Sequence, residues 1–295
     1  MKLAATELGK VDELKIYVLA EDHAGYDSLF WGQFGTSFLL SCRTGDTEKH
    51  ILFDAATSAE PILHNMSLLQ LDPKKHIDMV AISHCHFDHT GGLAGVLKEV
   101  GKQDIPVVAH PDLFRTVVLM ESYLWSPGLT AENSKENIEQ EGGKWILTGD
   151  PLKLAPGVLT SGEIERGFEK KVTLDSYNLE DGKLVKDEIL DDMSLYLDTR
   201  EGLVVVSSCS HAGIVNIVIQ GTKLTGQTRI RAVVGGFHLL DADEERVRLT
   251  VKTLKDMGVE QVHTGHCTGL KAEAAFLDSF GERFEELYSG KTIKF

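Results

Sequence analysis

The sequence predicts an α/β fold, and three observations carry this prediction. Short apolar runs rich in β-branched and aromatic residues recur along the chain and are typical of buried strands. Segments with apolar residues at helical spacing lie between several of these runs, and strands that alternate with helices pair in parallel as a layered sheet. The 295 residues are 42% hydrophobic and include only 7 prolines, so the chain can bury a large core and is not of the disordered class.

Up to residue 110 the chain is expected to alternate strands with helices. The first helix is predicted over 58–71, where Ile62, Leu63, Met66 and Leu69 have helical spacing, and the second over 90–101, where Gly101 ends it. The apolar runs predict strands at 14–20, 36–42, 50–56, 77–83 and 105–110.

The segment from about residue 121 to residue 192 differs in composition. It is rich in Gly, Glu, Lys and Asp and holds short strand-like pieces, "KWILTG" and "KVTLDS". We predict that this insert forms loops and hairpins that cover one edge of the core and the site there. No linker or break in composition divides the chain, which predicts a single domain over 1–295. Beyond the insert, we expect strands at 194–199, 202–211, 230–239 and 259–269, and helices at 212–224 and 243–258.

Charge and cysteine usage narrow the function classes. With 30 basic and 45 acidic residues the formal charge is −15, which repels a phosphate backbone, so we expect no nucleic acid partner. The beginning of the chain lacks a signal-peptide pattern and no stretch approaches the ~18 apolar residues of a membrane span. The four cysteines lie far apart, which favours a reducing cytoplasm. The expected partner is a small molecule, and homo-oligomer formation is left open.

Histidines follow the predicted strands at four places. The runs "VAISHCHFDH", "VVVSSCSH", "AVVGGFH" and "QVHTGH" each pass from an apolar strand directly into a histidine. Because strand ends of an α/β sheet lie along one edge, we expect these side chains to meet there. A lone strand-end histidine is usually a core residue, but three histidines and one aspartate within 84–89 indicate a metal site. The side chains expected to meet at this edge are His84, His86, Asp88, His89, His211, His238 and His266.

The spacing of the first run suits one or two divalent ions. Alternate residues of an extended chain point to the same side, so His84 and His86 can bind one ion together. Asp88 and His89 follow after the chain bends and face a second position, where the pair Gly91–Gly92 lets the backbone approach closely. Imidazoles and a carboxylate favour zinc, with iron, manganese and magnesium as alternatives. Such an ion can lower the pKa of bound water to about 7.

The residues "HCHFDH" at 84–89 match the H-x-H-x-D-H pattern of the metallo-β-lactamase superfamily, which the chain resembles. In the same comparison "ILFDAA" is similar to an early strand that ends in an aspartate, here Asp54, and "VHTGHC" to the segment of the last metal-binding histidine, His266. The resemblance implies a four-layer αββα sandwich with one or two metal ions at the sheet edge.

Within that family, further segments resemble one branch. "GQFGTSFLL", "TSGEIER", "CSHAGIVN", "GGFHL" and "TGHCTG" are similar to the branch of the dihydropterin-ribofuranosylaminobenzene-phosphate synthases of methanopterin biosynthesis. That enzyme joins a hydroxymethyl-dihydropterin diphosphate to a ribofuranosyl-aminobenzene phosphate. The resemblance therefore implies a transferase that forms a C–N bond, although the branch name can be broader than its chemistry.

The chain departs from the family pattern at the strand that usually ends in a bridging aspartate. Here the strand leads into Cys209 and His211, and either side chain can take that ligand place; we favour His211 and leave Cys209 open. Between residues 89 and 211 the chain has one histidine, His110, whose context is typical of a structural residue. His238 has no ligand role in the family pattern, and an acid/base role and a structural one stand side by side.

Candidate substrate contacts come from other segments. Arg166 in "TSGEIER" can bind a phosphate with Glu163 beside it, or the two can form a solvated charge cluster. Phe34 and Trp31 can stack on a flat ring or simply pack. We expect a metal-dependent enzyme that acts on a small phosphorylated or ester-like substrate, with Asp88 holding metal and orienting water or taking a proton.

Two alternative functions remain open beside the synthase. One is a hydrolase-like enzyme for another substrate. The other is a redox diiron protein on the same fold, in which a glutamate usually stands where this chain has His86.

Overall fold

The computed structural model describes residues 8–120, 123–169 and 174–295. The elements of the first half of the chain are, in order, β1 (Glu13–Ala20), β2 (Ser37–Thr44), β3 (Thr47–Phe53), α1 (Ala59–Leu68), α2 (Pro73–His76), β4 (Met79–Ala81), α3 (Phe87–Thr90), α4 (Leu93–Val100), β5 (Ile105–Ala109), β6 (Val117–Met120), β7 (Leu124–Trp125), α5 (Lys135–Gln140) and β8 (Gly143–Leu147).

The second half completes the fold. Its elements are, in order, β9 (Lys153–Ala155), β10 (Val158–Thr160), β11 (Ser176–Glu180), β12 (Lys183–Lys186), β13 (Leu195–Thr199), β14 (Gly202–Ser207), α6 (Ile214–Thr225), β15 (Ile230–Gly236), α7 (Glu244–Asp256), β16 (Gln261–Gly265), α8 (Leu270–Phe280), β17 (Phe284–Glu286) and β18 (Thr292–Lys294).

The strands of the described residues form two large sheets and one small sheet. The first sheet has seven strands in the order β18-β1-β2-β3-β4-β5-β8, and the second has seven in the order β17-β16-β15-β14-β13-β10-β9. Pairing is parallel along β3-β4-β5-β8 and along β14-β15-β16-β17. Each large sheet therefore directs the carboxyl ends of several neighbouring strands to one edge, which is where the site is built.

Alternation along the strands packs the two large sheets face to face. Ile16 of β1 and Phe53 of β3 share one buried cluster with Val204 of β14 and Val234 of β15. Because successive side chains of a strand point to opposite faces, the residues between them face outward toward the helices.

Helices cover the outer face of each large sheet. On the first sheet, Met66 of α1 and Val96 of α4 pack in a buried cluster with strand residues. On the second sheet, Ile217 of α6, Val251 of α7 and Phe276 of α8 do the same. The order of layers is helix, sheet, sheet, helix, which confirms the predicted αββα sandwich. No helix of the described residues is long and apolar enough to span a membrane.

The segment 121–192 contributes strands to both large sheets, whereas the sequence predicts that it only covers the edge of the core. "KWILTG" contains β8, which pairs in parallel with β5 of the first sheet, and β10 pairs with β13 of the second. The small sheet, in the order β12-β11-β6-β7, is the part outside the sandwich. Of "KVTLDS", residues 171–173 lie outside the described residues. The single-domain organisation over 1–295 stays a prediction.

Candidate metal centre

The structure brings the strand-end residues together at one edge of the sandwich. The loop after β4 carries His84 and His86 and leads into α3, which carries Asp88 and His89. The loops after β14, β15 and β16 carry the remaining side chains. Groups whose ligand atoms lie within 4.8 Å of one another comprise His84, Cys209 and His211; His89, Cys209 and His266; and Cys209, His238 and Cys267. The site residues predicted for metal binding are thus drawn from both large sheets.

We call the imidazoles of His84, His86 and His211 the first group. His84 Nε2 lies 3.0 Å from Nδ1 of His86 and 3.2 Å from Nε2 of His211. All three rings are buried. Two ligands of a tetrahedral zinc at about 2.05 Å from the metal are about 3.3 Å apart. Both distances from Nε2 of His84 are therefore those expected between ligands that share one ion.

The hydrogen bonds of Ser83 fix the tautomer of His84. The Ser83 hydroxyl donates its one proton to Oδ2 of Asp54 at 2.6 Å, so its oxygen accepts from Nδ1 of His84 at 2.8 Å. Nε2 of His84 then carries a lone pair and faces two other imidazole nitrogens. A cation is the partner that this arrangement fits, because neutral imidazoles are metal ligands.

The second group consists of the carboxylate of Asp88 and the imidazoles of His89 and His266. Its Oδ2 lies 3.3 Å from Nε2 of His89 and 3.4 Å from Nε2 of His266. The opposite nitrogens, Nδ1 of the two rings, contact carboxylates: His89 contacts Asp54 at 2.8 Å, and His266 contacts Asp22 at 3.2 Å. These outer carboxylates hold each ring with Nε2 toward the group, the arrangement that tunes metal-binding histidines.

Cys209 lies between the two groups. Its Sγ is 3.2 Å from Nε2 of His89 and also belongs to the group of His84 and His211. His211 belongs to the first group. Both candidates for the place of the bridging aspartate, Cys209 and His211, thus lie at the site. The thiol of Cys209 is the one that lies close to both groups.

Burial and neighbouring charge set the protonation of the first group. Burial, reinforced by the neighbouring imidazoles, holds the pKa of His84 and of His211 well below the ordinary value. Burial likewise lowers the pKa of His86 to about 3. All three rings are neutral at pH 7, and Nε2 of His86 is buried without a hydrogen-bond partner among the described residues.

The second group is polarised differently. Burial opposes protonation of His89, but the carboxylates of Asp88 and Asp54 outweigh it and raise the pKa of His89 to about 9. Burial also favours neutral Asp88, yet His89 and His266 hold the pKa of that carboxyl well below its usual range. A divalent cation fits here as well, because it can replace the imidazolium protons as the partner of the carboxylate.

Backbone strain concentrates around these groups. Asp54, Ser210, His238 and His266 all have φ between 47° and 62°, a left-handed conformation that costs non-glycine residues roughly 1 kcal/mol or more. Each lies directly after a strand end or beside a candidate ligand. Strain that the surrounding fold enforces at one site is typical of functional positions.

Glycines let the backbone approach closely at the turn after the first motif. A Cβ on Gly91 would lie 2.2 Å from the carbonyl oxygen of Thr57, and one on Gly92 would lie 2.4 Å from that of Ala55. Only a residue without a side chain fits at either position, as the sequence predicts.

His238 lies at the edge of the first group. Its ring centroid is 4.4 Å from that of His211, and its Nδ1 is buried without a hydrogen-bond partner among the described residues. Cys267 shares a group with His238 and Cys209. It lies in the 3₁₀ turn at His266–Thr268, where strand alternation has already ended.

The candidate substrate residues separate in space. The ring of Phe34 lies 5.6 Å from that of His266, at the rim of the second group. Trp31 instead stacks on His64 at 4.0 Å. Glu163 contacts Nε2 of His110 at 3.2 Å.

Arg166 is occupied by main chain of the insert. Its guanidinium donates to the carbonyl oxygens of Glu188 and Ile189. Arg166 therefore contacts other residues of the insert and Glu163 contacts His110, and their substrate role stays a prediction.

Sequence reasoning missed a pair of buried acids that hold the ligand loops. Oδ2 of Asp191 accepts from the backbone N–H of Cys85 at 2.8 Å, and Oδ2 of Asp192 accepts from that of Ala212 at 2.6 Å. Both carboxylates are buried, and burial raises the pKa of Asp192 to about 7. Adjacent acids directly before an apolar strand are the signal that could have pointed to them.

Comparison with known proteins agrees with this geometry. The metallo-beta-lactamase superfamily model matches residues 31–152. A curated protein of Methanocaldococcus jannaschii, 7,8-dihydropterin-6-methyl-4-(beta-D-ribofuranosyl)-aminobenzene-5'-phosphate synthase, is 51% identical over 292 residues, 98% of this chain and 99% of the relative. An uncharacterized protein of the same organism is 32% identical, over 85% of this chain and 90% of its own length.

A solved structure of the same superfamily is also similar to this chain. A metal-dependent hydrolase of the beta-lactamase superfamily has a TM-score of 0.79 and 28% identity, with 95% of this chain and 98% of that chain covered. Likeness to a curated synthase over nearly the full length of both chains confirms that this protein is an enzyme. The chain belongs to the metallo-beta-lactamase superfamily.

Proposed function

We propose that this protein is a metal-dependent synthase that joins a dihydropterin, activated as its methyl diphosphate, to the amine of a ribofuranosyl-aminobenzene phosphate. The observation that carries the proposal is the 51% identity to the curated synthase over 98% of this chain. In the reaction the C–O bond to the diphosphate breaks and a C–N bond forms. Diphosphate leaves, and the attacking amine loses one proton.

The two groups at the sheet edge are the proposed ligands of one or two divalent ions. His84, His86 and His211 would hold the first, Asp88, His89 and His266 the second, and Cys209 would serve both. Nitrogen, sulfur and carboxylate donors together favour zinc over magnesium. When bound, such ions supply positive charge that stabilises a leaving diphosphate.

The chain's own residues supply the remaining tasks. Oδ2 of Asp88 is engaged by both His89 and His266, which supports holding metal as its role. His238 has a buried Nδ1 without a partner among the described residues, and we assign to it the proton of the attacking amine. The partner is thus a pair of small molecules, and the cytoplasmic setting and the oligomeric state stay predictions.

The test is an assay of the purified, zinc-loaded protein with both substrates. We expect diphosphate release and the joined product in equal amounts, and neither when the aryl amine is left out. Diphosphate release that does not require the amine would favour the hydrolase alternative. Absence of turnover in both conditions, with metal content verified, would refute the pterin assignment.

Variants then separate the roles of the site residues. His84→Ala should lower turnover at least about 100-fold, because it removes a proposed ligand of the first ion. His238→Gln should lower kcat, with KM for either substrate little changed. Cys42→Ser, a buried thiol on β2, is the control.

A further inference from the structure

A row of aromatic rings begins at the second metal group and runs outward. Phe34 lies 5.6 Å from the ring of His266 and 5.8 Å from that of Phe87, and Phe87 lies 6.2 Å from that of Trp125. We name Phe34, Phe87 and Trp125 the aromatic wall. It connects the metal groups with β7 of the small sheet.

The exposure of Phe34 is not explained by packing. Phe34 keeps 54% of its surface exposed, although burial of a phenyl ring is favourable. Phe34 is also next to a site lined by buried polar groups. An exposed aromatic ring at the rim of such a site is typical of a ligand contact.

The backbone holds Phe34 in this exposed position. Its carbonyl oxygen accepts from Oγ1 of Thr57 at 2.5 Å. The next residue, Gly35, has φ of 103°, and a Cβ there would lie 1.8 Å from the carbonyl oxygen of Asp88. The loop therefore lies directly against the metal-binding motif, and the ring is presented by a fixed main chain.

Phe87 is fixed in a similar way from the other side. It lies between two candidate ligands in the motif, and its N–H donates to the carbonyl oxygen of Pro127 at 2.8 Å. This bond ties the motif to the loop after β7, which carries Trp125. The wall is thus assembled from three separate segments of the chain.

We propose that the aromatic wall is the stacking surface for the dihydropterin ring of the substrate. This inference rests on the proposed synthase function and names the subsite of that reaction. The pterin ring is one carbon atom away from the leaving diphosphate. With diphosphate at the metal groups, that ring must lie within a few ångströms of them, where Phe34 is found.

Stacking also fits the chemistry of the ligand. A dihydropterin is flat and bicyclic with an extended π face, and aromatic side chains stack on such rings with little demand for exact orientation. The hydrogen-bonding edge of the ring stays available to other groups. A wall without charged side chains does not compete with the diphosphate for the metal.

The first experiment measures binding without turnover. The probe is 6-hydroxymethyl-7,8-dihydropterin, which has no phosphate, titrated into zinc-loaded protein by calorimetry. Phe34→Leu keeps an apolar side chain but loses the ring, and we expect about 10-fold weaker binding, the lower part of the range for loss of one stacking contact. Phe34→Tyr should bind within about twofold of the wild type. Tyr26→Leu, which removes a fully exposed ring of the same loop, is the control and should bind like the wild type.

The second experiment measures steady-state kinetics of the same variants. Phe34→Leu should raise KM for the pterin diphosphate about 10-fold and leave KM for the aryl phosphate unchanged. Equal binding of the probe by Phe34→Leu and wild type would overturn the wall assignment even if the wild type is an active synthase. Conversely, wild-type protein that binds the probe through Phe34 but joins no substrates would refute the synthase and keep the wall.

Discussion

At the scale of single residues, the position of Cys209 bears directly on how much metal the site can bind. Its Sγ is within 4.8 Å of ligand atoms in both metal groups, whereas His211 belongs to the first. A thiolate shared by two ions would stabilise both, because each ion loses a soft ligand when the sulfur is removed. Cys209 is therefore expected to matter more for metal binding than His211, whereas the sequence favours His211 as the ligand.

Cys209→Ser should therefore reduce the bound zinc more than His211→Ala does. We expect the serine variant to lose metal from both groups and the alanine variant to retain close to the content of the second group. Elemental analysis after dialysis against dilute zinc measures this directly, with Cys42→Ser as the control thiol. A His211→Ala protein with less zinc than Cys209→Ser would show that the imidazole is the ligand that matters.

His263 gives a pH dependence that is separate from the metal ligands. It is 3% exposed on β16, and neither ring nitrogen has a hydrogen-bond partner among the described residues. Burial lowers the pKa of His263 to about 4 in the folded protein, against 6.5 as the ordinary value. The unfolded chain therefore binds the proton first as pH falls below about 6.5, and stability is lost from there down to about pH 4.

The expected loss between pH 7 and pH 5 is about 2 kcal/mol for this histidine alone. His263→Leu should remove that part of the acid sensitivity and keep the fold. Urea unfolding of wild type and variant at the two pH values measures it as a difference of differences, which cancels the contribution of the metal ligands common to both proteins. Parallel acid curves would contradict the assignment.

At the scale of elements, Arg115 joins the small sheet to the metal-binding loop. The guanidinium lies 3.1 Å from Oδ2 of Asp187 and 2.5 Å from Oδ2 of Asp191, and all three side chains are nearly or fully buried. Asp191 in turn accepts the N–H of Cys85, between His84 and His86. The position of the motif thus depends on a buried ion-pair network that begins outside the sandwich.

Arg115→Met should destabilise the protein by about 3–5 kcal/mol, because two carboxylates remain buried without their cation. Urea unfolding of zinc-loaded protein measures the change. The matched control is Lys144→Met, which breaks the exposed pair with Asp104 at 3.3 Å and should cost less than about 1 kcal/mol. Similar losses for the two variants would show that the network does not hold the loop.

Local patterns account for many strands and helices of the sandwich, although α8, β17 and β18 were not predicted. They do not account for the small sheet. The spacing of Ile62 and Met66 predicts α1, because one face of a helix must be apolar. By contrast, β6 pairs with β11 far along the chain, as Leu119 opposite Ser176 illustrates, and no local period encodes that pairing. The exposed strand β12 likewise lacks an apolar face.

The predicted ends of strands near the site are too long for a related reason. The apolar run predicted over 202–211 forms a strand only to Ser207, and the run over 77–83 only to Ala81. At these points the main chain leaves the sheet to bring His211 and His84 to the site. Strand propensity continues through the turn in the sequence, whereas the hydrogen bonds of the ladder do not.

At the scale of the whole molecule, the site lies where the two large sheets meet. His84, His86, Asp88 and His89 come from the first sheet, and Cys209, His211 and His266 come from the second. Convergence could be predicted because parallel strands end at one edge. The outer partners, such as Asp22 for His266 at 3.2 Å, could not, because they come from loops without a pattern of their own.

Because ligands from both sheets would hold the same ions, metal must also stabilise the fold. Binding to the folded state alone contributes about 4 kcal/mol at a thousandfold excess over Kd, and a domain of this size shifts by roughly 2–4 °C per kcal/mol. Chelation and dialysis should therefore lower Tm by about 10 °C, and zinc should restore it. His84→Ala should reduce this metal-dependent shift, and Cys42→Ser should keep it. An equal Tm with and without zinc in the wild type would mean that the imidazoles at this edge do not join the two sheets through a cation.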